Sequence, residues 1–312
     1  MNMALLLPLS MLVALLVDRL FGEPPAWMHP VVAMGRALGV FSQRLLKLPP
    51  ATAFVAGALL WGVIALPFVV LATVLEFALI KGTQPASASA SLLSCSVALG
   101  LMLKPLMAWR MLSDEVAAVE AALRESLEAG RLRLSRLVSR DTSALSAAEV
   151  REAAIETLAE NLNDSVVAPL FWFAVAGLPG AALYRFANTA DAMWGYRGRW
   201  EWAGKWAAWA DDVLSWIPAR ITALALMGSH LGLLGQVRRE ALRTPSPNGG
   251  WPMAAVALRL QLRLSKPGVY VLNAKGEAPG HNDIERAYAL AFQALLVAAS
   301  LLALLAFAMR WP

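Results

Sequence analysis

Four carboxylates stand one helical turn apart in this chain: Glu152, Glu156, Glu160 and Asp164. At i,i+4 spacing they form a slowly turning stripe on one side of a helix. Like charges so placed repel, so they need cations beside them or a task that rewards the arrangement. Ser146 followed by Glu149 is a capping box, which predicts a helix from near Ala147. The stripe ends in Asn161, Asn163 and Asp164, directly against an apolar run over 166–173. Acids and amides at a membrane boundary are costly and tend to mark functional positions. The plain alternative is a solvated helix face neutralised by Arg140 and Arg151.

A second Asn-x-x-Asp pair, Asn188 and Asp191, follows that apolar segment, and Asp211-Asp212 adds a third acidic group. On helices each pair shares a face. Oxygen donors of this type suit Mg²⁺, which binds one or two carboxylates together with substrate phosphates. Any one such pair, taken singly, is equally a helix cap. The loop 244–252, carrying Ser246, Asn248, Gly249 and Gly250, offers backbone N–H groups that can form an anion nest, or is an ordinary Pro/Gly turn. His29, His230 and His281 lie far apart and match no zinc spacing, and the single Cys95 excludes a disulfide framework. No P-loop, G-x-S-x-G or H-E-x-x-H occurs. These residues point to a metal–phosphate site at one face of a membrane protein. They leave open an enzyme acting on a phosphorylated substrate and a transporter.

The elements that must position these groups are mostly apolar. Of 312 residues 58% are hydrophobic and 16% charged, and the mean hydropathy is +0.56. That excludes an ordinary soluble domain, and a net charge of +5 fits basic cytoplasmic loops rather than a nucleic-acid surface. The expected fold is all-α, a polytopic integral membrane protein with five or six membrane segments and amphipathic cytoplasmic helices. It reads as one membrane-embedded domain, 1–312. Within it lie an N-terminal segment and interfacial loop (1–50), a transmembrane hairpin (51–109) and acidic and basic helices (110–165). A broken membrane helix, a Trp-rich interfacial segment and a span follow (166–235), then a polar loop (236–286) and the last span (287–312). The 81–91 turn is expected outside and both its flanks in the cytoplasm. Residues 113–130 should form an amphipathic helix stopped by Gly130. Gly177-Leu-Pro-Gly180 should break the helix over 166–187. The segment 193–212 is an aromatic belt or a wall for a flat ligand. The 110–164 and 236–286 loops are both basic, so an even number of crossings should separate them.

Several stretches resemble the adenosylcobinamide-phosphate synthase family of cobalamin biosynthesis, CobD/CbiB. They are Asp18-Arg-Leu-Phe-Gly-Glu-Pro-Pro25 with His29-Pro30; Ser139-Arg-Asp-Thr142; Glu156-Thr-Leu-Ala-Glu-Asn-Leu-Asn-Asp-Ser165; Gly177-Leu-Pro-Gly180; Asn188-Thr-Ala-Asp191; Asp211-Asp212 with Ile217-Pro-Ala-Arg220; and Ser246-Pro-Asn-Gly-Gly-Trp-Pro252. They run in family order from residue 18 to about 252. Residues 257–280 depart from the pattern, which is more glycine-rich there.

The resemblance implies an ATP-dependent, amide-forming ligase. An aminoalcohol or its phosphate is joined through its amine to the free carboxylate of adenosylcobyric acid. The carboxylate must first be activated, as an acyl phosphate for example. ATP and Mg²⁺ are then the implied cofactors. Expected partners are the corrinoid, the aminoalcohol phosphate, the lipid bilayer and other membrane-associated cobalamin-assembly enzymes, with no nucleic acid. The expected location is the bacterial inner membrane, with the site facing the cytoplasm. On residue chemistry, Glu156, Glu160 and Asp164 are the catalytic candidates, with Glu156 or Glu160 the base. Asn163, Asp164, Asp191, Asp211 and Asp212 are the metal candidates. Arg140, Asp141, Thr142, Asn161, Asn188, Arg220, Ser246, Asn248, Gly249 and Trp194 are the substrate-binding candidates, Trp194 against the corrin face. Glu160, nearer the apolar run, is expected to be the acid whose pKa burial raises. Two rivals are a membrane prenyltransferase-like Mg²⁺–diphosphate enzyme and a corrinoid transporter or scaffold.

Overall fold

Capping, apolar periodicity and Gly/Pro punctuation divide the chain into helices at nearly the expected places. The computed structural model describes residues 3–82 and 88–311. In chain order its α-helices are α1 (Met3–Phe21), α2 (Pro30–Leu45), α3 (Pro50–Gly82), α4 (Ala88–Leu103), α5 (Trp109–Glu125), α6 (Leu127–Leu134) and α7 (Ala147–Leu162). After a π turn (Asn163–Val167) come α8 (Ala168–Trp194), α9 (Lys205–Met227), α10 (Leu234–Ala241) and α11 (Gly250–Leu260). A small antiparallel hairpin of β1 (Leu264–Lys266) and β2 (Tyr270–Leu272) precedes α12 (Asp283–Ala308). Part of the expected 81–91 turn, residues 83–87, lies outside the described residues.

Among the described residues five continuous helical stretches are long and apolar enough to cross a membrane. They contain α1, α3, α4, α8 and α12. The stretch holding α8 also includes α7, but Glu149, Glu152, Glu156, Glu160 and Asp164 keep α7 out of its apolar part. Along α3, Leu59, Val63, Leu66, Val70 and Val74 are exposed, a continuous apolar surface of the kind that faces lipid. The chain is thus an all-α membrane protein. The span expected at the end of the 166–235 segment, after its Trp-rich part, does not hold as one helix. Here α9 ends at Met227, where Gly228 turns to φ +54°.

Contacts divide the chain into two compact units. The first comprises residues 1–108, 168–215 and 299–312. Between lipid-facing helices close packing must come from shape, since apolar tails already surround them. Gly100 of α4 shows this, because a Cβ there would stand 2.7 Å from the Ser10 carbonyl of α1. At the end of this pair the buried Lys104 ammonium meets Asp18 at 3.1 Å and Glu23 at 2.8 Å. Glu23 also meets His29, whose other ring nitrogen accepts the Val31 N–H and caps α2.

The expected break in the 166–187 helix is present and has a partner. Ala176 and Gly177 leave helical geometry, with Gly177 at φ +66°. The freed Leu178 N–H donates to Glu76 of α3 at 2.6 Å. Glu76 therefore caps the second half of α8 from within the apolar run of α3. Nearby, Arg310 donates to the Ala174 carbonyl at 2.9 Å, so both chain ends exposed by the break find partners.

The second unit comprises residues 109–167 and 216–298. Its amphipathic helix is not one helix ending at Gly130. It ends at Glu125, and Ser126 then caps α6 through the Ala129 N–H at 3.0 Å. Gly130 lies inside α6 and is buried, because a Cβ would strike Leu123 of α5.

The break gives a prediction. Gly177→Ala must hold a positive φ and set its Cβ against the Glu76 carboxylate, so it should lose about 1–3 kcal/mol or more. Thermal unfolding in detergent should show a lower Tm. Gly62→Ala on α3, where a Cβ meets nothing within 4 Å, should leave Tm unchanged or slightly raised. Equal behaviour of the two variants would contradict the capping role.

Candidate active site

The acid stripe starts as the capping box predicts. The Ser146 hydroxyl accepts the Glu149 N–H at 3.3 Å, and Glu149 accepts the Ser146 N–H at 2.7 Å. This sets the phase of α7. Glu152 and Glu156 then point into protein and are buried, while Glu160 and Asp164 are half-buried. Of the two cations expected from sequence, Arg140 meets the stripe at Glu156 and Arg151 does not. Arg151 turns away to a buried Glu120, bidentate at 2.8 and 3.1 Å. Glu152 is fully buried and accepts from Arg263 at 3.3 Å and from the Ser265 hydroxyl. Those two partners flank Leu264, the first residue of the hairpin, so Glu152 latches β1–β2 onto α7.

The latch brings two residues that sequence reading missed. Lys266 and Tyr270 face each other across the hairpin register. With Ser139, Arg140, Glu156, Thr157, Glu160 and Asn161 they line a cavity of about 190 Å³ beside α7. Arg140 reaches Glu156 at 3.4 Å with one terminal nitrogen. Its other terminal nitrogen, Nη1, is buried with no hydrogen-bond partner. The Tyr270 hydroxyl lies between Glu156 and the Met253 sulfur, the latter at 3.8 Å. Burial pushes the Glu156 carboxyl up to about 7, against the opposing pull of Arg140. Burial also raises the Tyr270 phenol, with the Glu156 charge adding to it. Glu156 is thus an acid at this site whose pKa burial raises. The reason is packing: the hairpin closes over the Glu152–Glu156 turn, and Glu160 opens to the cavity.

On its far side Glu160 meets the loop 244–252. A Cβ on Gly249 would come within 2.6 Å of Glu160 Oε1, so glycine lets this backbone approach the carboxylate. Two of the loop's amides are used internally: the Asn248 and Gly249 N–H groups both donate to Ser246 Oγ, at 3.2 and 3.1 Å. Arg220 binds the same loop through Asn248 Oδ1 at 2.6 Å and the Pro247 carbonyl at 3.1 Å. Its guanidinium lies between Trp216 and Trp251, 4.6 and 4.7 Å from their ring centres. Arg220 therefore braces the loop. In the strap before α7, Thr142 donates to the Arg131 carbonyl at 3.0 Å. Asp141 accepts from Ser143 N–H and Oγ, which holds its exposed carboxyl below the ordinary range.

Asn163 lies buried in the π turn. It donates to Asp164 at 2.7 Å and accepts from Thr222 at 3.0 Å. π turns of this kind recur at functional sites. Asn161 donates to the Thr157 carbonyl at 3.0 Å and accepts from Ser165.

The other acidic group belongs to the first unit. There the Asn188 amide joins Arg185 and Asp211, each at 3.4 Å. Asp191 lies one turn further along α8, and burial raises the Asp212 carboxyl. Trp194 is a core ring in this structure, fully buried, donating to Ser42 at 3.0 Å and stacked on Trp200. The open rings of this segment are Tyr196, Trp202, Trp206 and Trp209, with Lys205 over Trp202 and Trp209. Among the described residues no three His, Cys, Asp or Glu side chains converge as a metal cage. The carboxylate and amide oxygens present have the hardness of a Mg²⁺ site completed by phosphate.

Fold and cavity together define a helical membrane protein with an ionisable polar site outside its spanning helices. Residues 11–296 match the family described as CobD/Cbib protein. A probable cobalamin biosynthesis protein CobD of Methanothermobacter thermautotrophicus is 41% identical over 271 residues, covering 84% of this chain and 85% of that one. A probable CobD of Pyrococcus furiosus is 38% identical, covering 88% and 90%. The CobD of Brucella suis is 37% identical, covering 93% and 96%. No solved structure matches the chain. The chain belongs to the CobD/CbiB family, and a role in cobalamin biosynthesis follows from that membership.

Burial of Glu156 carries a sign that can be tested. Its carboxyl rises from 4.5 to about 7, so between those values the folded protein holds a proton that the unfolded chain has released. This group's contribution to stability therefore falls as pH rises through that window. Glu156→Gln should remove this slope, narrowing the Tm loss between pH 4.5 and pH 8 relative to the unsubstituted protein. Parallel Tm–pH curves would contradict the buried, proton-holding carboxyl.

Proposed function

We propose that this chain forms an amide between the free carboxylate of adenosylcobyric acid and an aminoalcohol or its phosphate, in an ATP-dependent ligation. The observation that carries the reading is the small cavity beside α7. It sets two cations, Arg140 and Lys266, against two carboxylates, Glu156 and Glu160. Such a cavity suits a short molecule with an ammonium at one end and an anion at the other. At about 190 Å³ it is far too small for a corrin ring, so it is assigned to the amine substrate.

An amine attacks only after losing a proton. Glu156, buried and held near neutrality, is better matched to accept that proton than an ordinary carboxylate. Arg140 stays within reach of the anionic end and favours the ionised form of Glu156 once it acts. Glu160, which the absence of a side chain at Gly249 leaves room for, supplies the second acceptor for the ammonium. The carboxylate oxygen displaced by the amine leaves with the activating phosphate, and the amine's proton leaves through Glu156. Asn163 with Asp164, and separately Asp191 with Asp211 and Asp212, are two groups each of which would hold Mg²⁺ together with phosphate. When bound it supplies neutralisation of phosphate charge.

Purified protein incubated with adenosylcobyric acid, aminopropanol phosphate, ATP and Mg²⁺ should yield the amide by mass. Absence of the amide, with the corrinoid still bound, would favour the scaffold or transporter reading. Diphosphate released from an added prenyl diphosphate, with no amide formed, would favour a prenyltransferase-like enzyme. In the same assay kcat should rise as pH passes through about 7 and then level, because the base works deprotonated. Glu156→Gln should lower kcat by roughly 10²–10⁴-fold and remove that rise.

ATP and corrinoids are cytoplasmic, so the site should face the cytoplasm of a bacterial inner membrane. Single cysteines at Asp141, Asp164 or Asn248, in a Cys95→Ser background, should resist an impermeant thiol reagent in intact cells. Labelling from outside at any of the three would contradict this orientation.

A further inference from the structure

The hairpin β1–β2 is the only sheet among the described residues. Its attachment is costly to build. Glu152 is removed from water altogether in order to receive Arg263 and the Ser265 hydroxyl. The hairpin's own interior gives a smaller return, since each strand has three residues and only Leu264 and Leu272 are buried. What the latch does achieve is placement. It sets Lys266 and Tyr270 on the wall of the cavity opposite α7.

Lys266 is exposed and makes no ion pair within 4 Å among the described residues. It acts on Glu156 through its charge alone. Across the cavity Arg140 has one nitrogen on Glu156, while the other is buried and unpartnered. A buried guanidinium N–H without an acceptor is expensive, and an anion entering the cavity would satisfy it. Of the groups facing this space, Arg140 and Lys266 are cationic, Glu160 and Glu156 are acidic, and Tyr270, Ser139, Thr157 and Asn161 are neutral hydrogen-bonding groups.

We propose that the hairpin is the specificity arm of this site: Lys266 contacts the substrate and, with Arg140, binds the anionic end of the short amine. This rests on the assignment of the cavity to the amine substrate. Glu152 is a positioning residue that acts through Lys266. The amine end points the other way, to Glu156 and Glu160. An amine that carries no anion loses the Lys266 contact and keeps the rest.

The test is binding of O-phosphoethanolamine and of ethanolamine to the purified full-length chain by calorimetry, with amide formation followed separately. Lys266→Ala should weaken O-phosphoethanolamine tenfold or more and change ethanolamine by less than twofold. Lys266→Arg should restore most of the loss, and Tm should be unchanged in both because the side chain is exposed. Equal loss for the two ligands, no loss for either, or no binding of O-phosphoethanolamine by the unsubstituted protein would overturn the proposal. The two readings fail separately. Lys266-dependent binding without any amide product would sink the ligase and leave the hairpin's role intact. Amide formation with binding and KM indifferent to Lys266→Ala would do the reverse.

Discussion

Two carboxylates buried on one face of α7 are the constraint on which the second unit depends. A carboxylate taken out of water costs several kcal/mol unless partners replace the water. Glu152 and Glu156 solve this differently. Glu152 is matched by a guanidinium and a hydroxyl, and removing Arg263 would leave its buried charge without a counter-ion. Glu156 has a distant Arg140 and a phenol, not enough to keep it charged, so its proton is held toward neutral pH. One acid therefore fixes structure and its neighbour one turn later is left able to exchange a proton.

The first unit faces the same problem in an apolar setting. Glu76, Lys104 and Arg310 each lie in or beside a spanning helix, and each has an identified partner. Glu76 is the clearest case, because its cost is met by the amide that the break in α8 releases. Gly177 makes the break possible, since its positive φ and the contact with the carboxylate both exclude a side chain. Charges in spans are often taken as transport residues. Here Glu76 stabilises a helix end.

The parts legible in the sequence are those decided by local chemistry. The capping box of α7, the spans and the Gly/Pro break all depend on residues within a turn or two of each other. The parts that were not legible depend on distant partners. Glu76 is one acid in a long apolar run, and only the fold shows that it meets Leu178. Gly130 has the chemistry of a stop, but Ser126 stops the helix first and Gly130 serves close packing with Leu123. The hairpin is too short for alternation to reveal it, and its pairing follows from docking on Glu152. Lys266 and Tyr270 were therefore invisible as site residues. Burial went to Glu156 and not Glu160 for the same reason, since the covering element had not been seen. Arg220 and the loop 244–252 were each singled out for substrate binding, and the fold joins them through Asn248 and the Pro247 carbonyl.

The ionisation state of Glu156 is the point from which the proposed chemistry starts, and it can be observed without substrate. Difference infrared spectroscopy of the folded protein between pH 6 and pH 8 reports protonated carboxyls through their C=O stretch. A band that titrates near pH 7 and is missing in Glu156→Gln is the expected result. A protein with no carboxyl titrating in that range, or one whose band survives the substitution, would contradict it.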